Sequence, residues 1–375
     1  HTLLGRHKLN DFSGDYPDYT QETNRGISAG SGLQVRQIPS DANGNPKFNM
    51  YNSDAFWLTQ WNLNILWGLA WPHLMDDFSA SLVQYADNGG LLPRGPCAGG
   101  YSYIMTGCPA TNLIVSAYMQ GLLRKVDPEH ALKLMKQNHQ PGGMMGDDEI
   151  NFYVKNGWRP RNAGITLEWA FQDWSLSQMA LKMGKKRDAA YYLKRSAGWK
   201  SLFNEEHGLV FPKDEEGKWV HTDPLWGRGW VEANAWQGTW SVSHDIEGLA
   251  ELMGGADKLC DKLNYAFEMA EPTHFVYSYS GGYVSYANQP GCSNAHVFNY
   301  AGKPWLSQYW VRKVNKLAFG GTTPFDGYCG EEDQGQMSGV SALIKIGLFS
   351  VRGACDADPV YEITSPVFDE ITIQL

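Results

Sequence analysis

Three acidic constellations carry the residue types that acid–base chemistry requires. The first is Trp230-Val231-Glu232-Ala233-Asn234-Ala235-Trp236-Gln237, a carboxylate placed where a segment rich in Gly and Trp enters a helix. Burial beside indole rings disfavours the charged carboxylate and raises its pKa, as a general acid near neutral pH requires. The same position equally suits an acid that only complements a helix dipole. The second is Gly330-Glu331-Glu332-Asp333-Gln334-Gly335-Gln336, three consecutive acids between glycines before an apolar helix. Glu331 and Asp333 face one cavity if the turn is irregular, and such a pair can activate a water as general base. The alternative is a solvated turn in which Asp333 caps the next helix. The third is Glu168, inside the aromatic helix Thr166-Leu167-Glu168-Trp169-Ala170-Phe171, where an unpaired carboxylate is expensive. It reads either as a ligand for a sugar hydroxyl or as half of an internal salt bridge.

Other chemistries find no support. The sequence has no Walker loop, no His-Glu-x-x-His and no Gly-x-Ser-x-Gly, and its Gly-x-Gly stretches lack the flanking strand and helix of a dinucleotide site. The ten His show no metal-like pairing, and no Asp-rich metal motif of the terpenoid-synthase kind lies on a suitable helix. The 31 basic and 40 acidic residues give a net charge of −9, and no basic run breaks the acidity. Nucleic acid and anionic membrane surfaces are therefore poor partners, since both demand clustered cations. No run of 18 apolar residues is present, so no membrane insertion is expected, and no signal-peptide pattern opens the chain. The six Cys form no Cys-x-x-Cys pair, and their even number permits disulfides without requiring them. Fifteen Trp and 19 Tyr suit the apolar faces of pyranose rings, although a core of this size also uses many of them.

Helices must position these acids. Residues 1–50 read as an irregular, loop-rich entry. Ser53 and Asp54 are placed to cap a helix through Phe56, Trp57, Gln60, Trp61, Asn64 and Leu66. A second helix opens at Pro72 and stops at Asn88-Gly89-Gly90. Periodicity predicts further helices over 108–125, 128–138, 164–183, 186–203, 233–253, 256–270, 303–318 and 335–348. A short hairpin is expected within 204–231, and a long loop or hairpin over 272–293. The alternation from Val360 to Leu375 predicts two strands. Consecutive helices bury their stripes pairwise, and ten to twelve of them close into a mainly α fold, an (α/α)6 toroid. No strict repeat argues for an open solenoid.

At these motifs the chain resembles family 92 of the glycoside hydrolases, calcium-dependent exo-acting α-mannosidases. Gly330-Glu331-Glu332-Asp333-Gln334-Gly335-Gln336-Met337-Ser338 is similar to the family's base loop. Glu232 in Glu-Ala-Asn-Ala-Trp-Gln-x-x-Trp, with His244-Asp245 and Leu252-Met253-Gly254-Gly255 after it, is similar to the general-acid segment. Gly89-Gly90, Thr166-Leu167-Glu168, Asn299-Tyr300-Ala301-Gly302-Lys303-Pro304-Trp305 and Ser365-Pro366-Val367-Phe368 follow in family order. The resemblance implies an inverting mechanism on a glycan or oligosaccharide. Glu232 is the acid and Asp333, helped by Glu331, the base, with Trp57, Glu168, Trp236 and Gln237 at the sugar. It implies a catalytic domain over 1–355, with 356–375 as strands of an incomplete accessory β-domain. The family's N-terminal β-sandwich, absent here, is expected as a native partner. A glycan substrate implies a secreted or periplasmic address.

Two departures stand out. Trp57-Leu58-Thr59 replaces the family's Trp-Asp-Thr, and Asn288-Gln289-Pro290-Gly291-Cys292-Ser293 replaces Asn-Glu-Pro-Ser-His-His. Ca2+ is expected from the family, but Gln289, Cys292 and Ser293 now stand at the charged and imidazole positions, so it is expected to bind weakly or not at all. The acid and base survive while the sugar-binding shell has changed. That pattern implies retained glycosidic chemistry with altered specificity. The alternative is an inactive relative that binds glycans.

Overall fold

The computed structural model describes residues 7–21, 33–54, 56–146, 149–323 and 325–374. The entry is less irregular than expected. Asp15–Asp18 pairs antiparallel with Gln34–Gln37, and His7–Lys8 with Tyr51–Asn52.

Twelve α-helices follow among the described residues: α1 (Leu63–Ala70), α2 (Pro72–Gly89), α3 (Pro109–Met119), α4 (Pro128–Asn138), α5 (Ile150–Asn156), α6 (Ala163–Lys182), α7 (Lys186–Ser196), α8 (Ala235–Gly238), α9 (Ile246–Met253), α10 (Ala256–Ala270), α11 (Pro304–Leu317) and α12 (Gln336–Ile346). Four of them open on a proline, whose missing N–H is an orphan there in any case. α3 and α6 are buried almost all round, whereas α4, α7, α10 and α11 bury one stripe and expose a charged face. Helices of the first kind belong to an inner layer and those of the second to an outer one. α6 packs along α7, α9 against α10, α11 against α12, and α12 returns to α1. The ring so closed is the (α/α)6 toroid.

One buried acid stitches five helices of this ring. Asp173 of α6 accepts from His139 Nδ1 just after α4 (2.9 Å), from Tyr153 of α5 (2.8 Å) and from Arg195 Nε of α7 (2.8 Å). Thr111 of α3 donates to His139 Nε2 at 2.9 Å. Burial keeps the imidazole neutral, its pKa pushed below the usual range despite Asp173, so each ring nitrogen has one matched partner.

Several expectations are corrected. The helix from Ser53 through Leu66 is interrupted. Leu58 adopts φ 56, a 3-10 turn covers Thr59–Trp61, and α1 starts only after Asn62, whose Oδ1 accepts from the Leu63 amide. Ser53 and Asp54 do not cap it: both side chains bond Gln334. The helix over 233–253 breaks into α8, a 3-10 turn and α9, because Asn234 and Asp245 each cap a new start. The helix over 186–203 ends at Ser196 and continues to Leu202 as 3-10. The short α5 was not foreseen. Of the two strands expected over Val360–Leu375, the single dipeptide Glu362–Ile363 forms, against Leu348–Phe349. All six cysteines are free thiols.

Candidate active site

A cavity of about 410 Å³ opens where five stretches of chain meet. Asp54 and Trp57 come from before α1, and Ile104 and Met105 from before α3. Glu232 and Tyr279 come from two loops, and Glu331, Asp333, Gln334 and Gln336 from the acidic loop and the start of α12. Met105, Glu232, Tyr279, Asp333 and Gln334 all hold left-handed backbone, with φ of 62°, 51°, 31°, 48° and 54°. A side chain in that region costs on the order of 1–3 kcal/mol and persists only where its surroundings dictate it. Half of the cavity's lining is built this way.

Glu232 is half-buried, and its pKa is raised. Burial is the main cause, the charges of Asp333 and Glu331 add to it, and a hydrogen bond from Asn288 opposes it. Asn288 Nδ2 donates to Glu232 Oε2 at 2.7 Å. The carboxyl therefore favours its protonated form beyond the usual carboxylate range, as a proton donor must.

The acidic loop divides its work. Glu332 turns back as the cap of α12: its carboxylate accepts from the Gly335 amide (2.6 Å) and from the Ser338 hydroxyl (2.8 Å). Glu331 and Asp333, at i and i+2, line the cavity. Asp333 accepts from Gln289 Nε2, and Glu331 Oε1 accepts from the Tyr279 hydroxyl at 3.1 Å. The alternative in which Asp333 caps the helix is not what forms.

Glu168 does not line this cavity. It is buried on its own side of Trp57, where it accepts from Trp57 Nε1 (3.0 Å), from Gln172 Nε2 (3.0 Å) and from the Thr106 hydroxyl. Burial raises its pKa, and those donors oppose the rise. Among the described residues no salt bridge reaches it, and its contacts orient Trp57 and the loop carrying Met105. Trp236 and Gln237 also stand off the cavity. Trp236 packs against Tyr265 and Tyr283 with Lys262 over its face. Gln237 donates to the Gly281 carbonyl, bracing the loop that carries Tyr279. Of the seven expected site residues, Glu232, Asp333, Glu331 and Trp57 are brought together; Glu168, Trp236 and Gln237 are behind the wall.

Sequence reasoning missed Asn288, Gln289 and Tyr279. Gln289 stood out only as a substitution at a position associated with calcium, and Asn288 only as a residue shared with the family motif. Calcium takes about six to eight oxygen ligands, carboxylates prominent among them. Gln289 here spends its N–H on Asp333. The Cys292 thiol is buried and held well above its ordinary pKa, a protonated sulfur rather than an oxygen donor. Ser293 offers one neutral hydroxyl, and residues 288–293 contain no carboxylate. This donor set does not fit a calcium ion.

The family model described as the glycosyl hydrolase family 92 catalytic domain matches residues 1–375. An uncharacterized secreted glycosidase of Arthroderma benhamiae is 23% identical over 355 residues, covering 83% of this chain and 43% of that protein. Among solved structures, a family GH92 α-mannosidase of Bacteroides thetaiotaomicron superposes with a TM-score of 0.80. It is 24% identical and covers 95% of this chain and 45% of its own. A family GH92 inverting mannosidase of the same species has a TM-score of 0.74 and 30% identity, over 88% of this chain and 48% of its own. The chain thus spans less than half the length of these relatives.

Proposed function

The chain belongs to glycosyl hydrolase family 92, and from that membership we propose that it is the catalytic helical part of an exo-acting, inverting α-glycosidase that releases terminal mannose from glycans. The observation that carries the reading is one cavity holding a half-buried carboxyl with a raised pKa, Glu232, and an acidic pair, Glu331 and Asp333. Glu232 protonates the glycosidic oxygen as the bond breaks. Asp333, with Glu331 beside it, takes a proton from the water that attacks the anomeric carbon from the opposite face. An inverting pair needs roughly 6.5–9.5 Å between its carboxyls to admit that water. Trp57 offers an aromatic face to the ring. No step passes through calcium. The 30%-identical relative described as an inverting mannosidase supports the stereochemistry, and the secreted relative supports a glycan outside the cell.

The deciding experiment follows sugar release from a panel of α-linked nitrophenyl glycosides by NMR. Release of mannose, first as the β-anomer, is the expected result. The α-anomer appearing first would overturn inversion. Release of a different sugar would overturn the mannoside assignment. Binding of glycans without any release would overturn the enzyme reading in favour of a glycan-binding relative.

A further inference from the structure

The two carboxyls of the proposed pair share one unusual feature of their surroundings. Each receives a side-chain amide, and the two amides come from consecutive residues. Asn288 Nδ2 donates to Glu232 Oε2 at 2.7 Å, and Gln289 Nε2 donates to Asp333 Oδ2. Asn288 has extended backbone, φ −150° and ψ 162°. Successive side chains of extended backbone leave in opposite directions, so neighbouring residues can reach opposite walls of one cavity.

The segment that carries them is held firmly. Asn288 is 4% exposed and Gln289 fully buried. Pro290 fixes the 3-10 turn over Gln289–Gly291. A Cβ added at Gly291 would fall 1.7 Å from the Ser285 carbonyl oxygen, and one at Gly330 would fall 2.2 Å from that of Ala287. Only glycine lets these backbones meet. The Glu331 amide closes the contact by donating to the Ala287 carbonyl at 3.0 Å. The amide-bearing turn and the base loop are therefore one rigid piece.

The other ends of the amides have no such purpose. Asn288 Oδ1 and Gln289 Oε1 are buried, with no hydrogen-bond partner among the described residues. A buried acceptor left without a donor is a penalty to folding, and such groups in native structures call for a reason. What the amides supply lies at their N–H ends, which meet the two reacting carboxyls.

We infer that Asn288 and Gln289 are paired positioning residues, one rigid turn whose adjacent amides fix where Glu232 and Asp333 stand relative to each other. This rests on the reading of those two acids as the catalytic pair. Misplacing a reacting group by about 1 Å can cost on the order of 100-fold in rate, which sets the expected effect of releasing either clamp.

The test replaces each amide by an apolar residue of similar size, Asn288→Leu and Gln289→Met, and measures kcat, KM and Tm on an aryl and an alkyl mannoside. The expected result is an unchanged or higher Tm, little change in KM, and kcat lower by about 10- to 100-fold. Asn288→Leu should lose most on the alkyl glycoside, where protonation of the leaving oxygen matters most. Gln289→Met should lose equally on both, because water activation is common to them. Asn288→Ala and Gln289→Ala, which remove the N–H donor without adding a charge, should show the same split if a larger apolar variant fails to fold. Full kcat in both sets, or a loss that tracks a falling Tm, overturns the inference. Glu232→Gln and Asp333→Asn, run beside them, keep the two questions apart. If those variants retain activity, the catalytic pair itself is wrong; if they lose it while the amide variants do not, only the positioning inference fails.

Discussion

Replacing Glu232 by Gln removes the acidic proton and keeps the size of the side chain. Gln Oε1 can accept from Asn288 Nδ2 as the carboxylate does at 2.7 Å. The backbone at φ 51° is asked of a side chain of the same size and branching. The loss in rate therefore measures proton donation alone. Positioned general acids contribute typically 10²- to 10⁴-fold, which at about 1.36 kcal/mol per tenfold is roughly 3–5 kcal/mol of barrier. That full loss is expected in kcat/KM on an alkyl or sugar leaving group. A nitrophenyl leaving group departs as a stable anion, so its loss should be smaller by at least tenfold. The pH profile supplies a second signature. Glu232 must be protonated, so wild-type kcat/KM should fall as pH rises through its raised pKa. In Glu232→Gln, assayed on the nitrophenyl substrate, that alkaline limb should vanish. Equal loss on both classes of leaving group, or an alkaline limb that survives the substitution, would refute the assignment of Glu232 as the acid.

Three further outcomes are expected. Asp173→Asn leaves the Arg195 guanidinium buried without its counter-charge, which costs roughly 3–5 kcal/mol and should lower Tm by about 5 °C in a chain of this length; thermal melts with Tm unchanged would show that the network contributes no net stability. Glu362 is raised by burial to about 7 in the fold from 4.5. Its folded state holds the proton more tightly than the unfolded chain, so its contribution is full below about pH 4.5 and is lost as pH rises towards 7. Glu362→Gln should flatten that part of the Tm-against-pH curve, and an identical slope in the variant would contradict it. Treatment with a chelator, followed by metal-free assay, should leave activity on mannosides within about twofold, because the donors at 288–293 do not suit a hard cation; loss of activity restored by calcium would overturn this.

Local signals were readable where the chain obeys local rules. The 128–138 pattern became Pro128–Asn138, with Asp127 as its cap. The 256–270 pattern became Ala256–Ala270. The acidic loop was readable because three acids between glycines exceed what a cap requires. Its internal division was not: Glu332, rather than Asp333, became the cap through contacts to Gly335 and Ser338 that depend on the turn's left-handed backbone. Ser53 and Asp54 look like caps locally, yet Gln334 takes them from 280 residues away. Trp236 and Gln237 sit beside Glu232 in sequence, but α8 turns their side chains away from the cavity. Asn288 and Gln289 carry no sequence signal of their role, since an amide reveals its partner only when the partner's loop is in place.

The contact between α1 and α12 also bears on how this site comes into being. Ser53 and Asp54 reach Gln334, Asn62 reaches Gln336, and the Trp61 indole donates to the Val351 carbonyl, pairings 274 to 290 residues apart. Closing such loops is paid in chain entropy before any contact rewards it. During synthesis the wall carrying Trp57 emerges well before the loop carrying Asp333, and it must wait for that loop to arrive. Catalysis should therefore be the last property a refolding chain regains, later than helix content. A time course of activity against far-UV circular dichroism would read the lag directly.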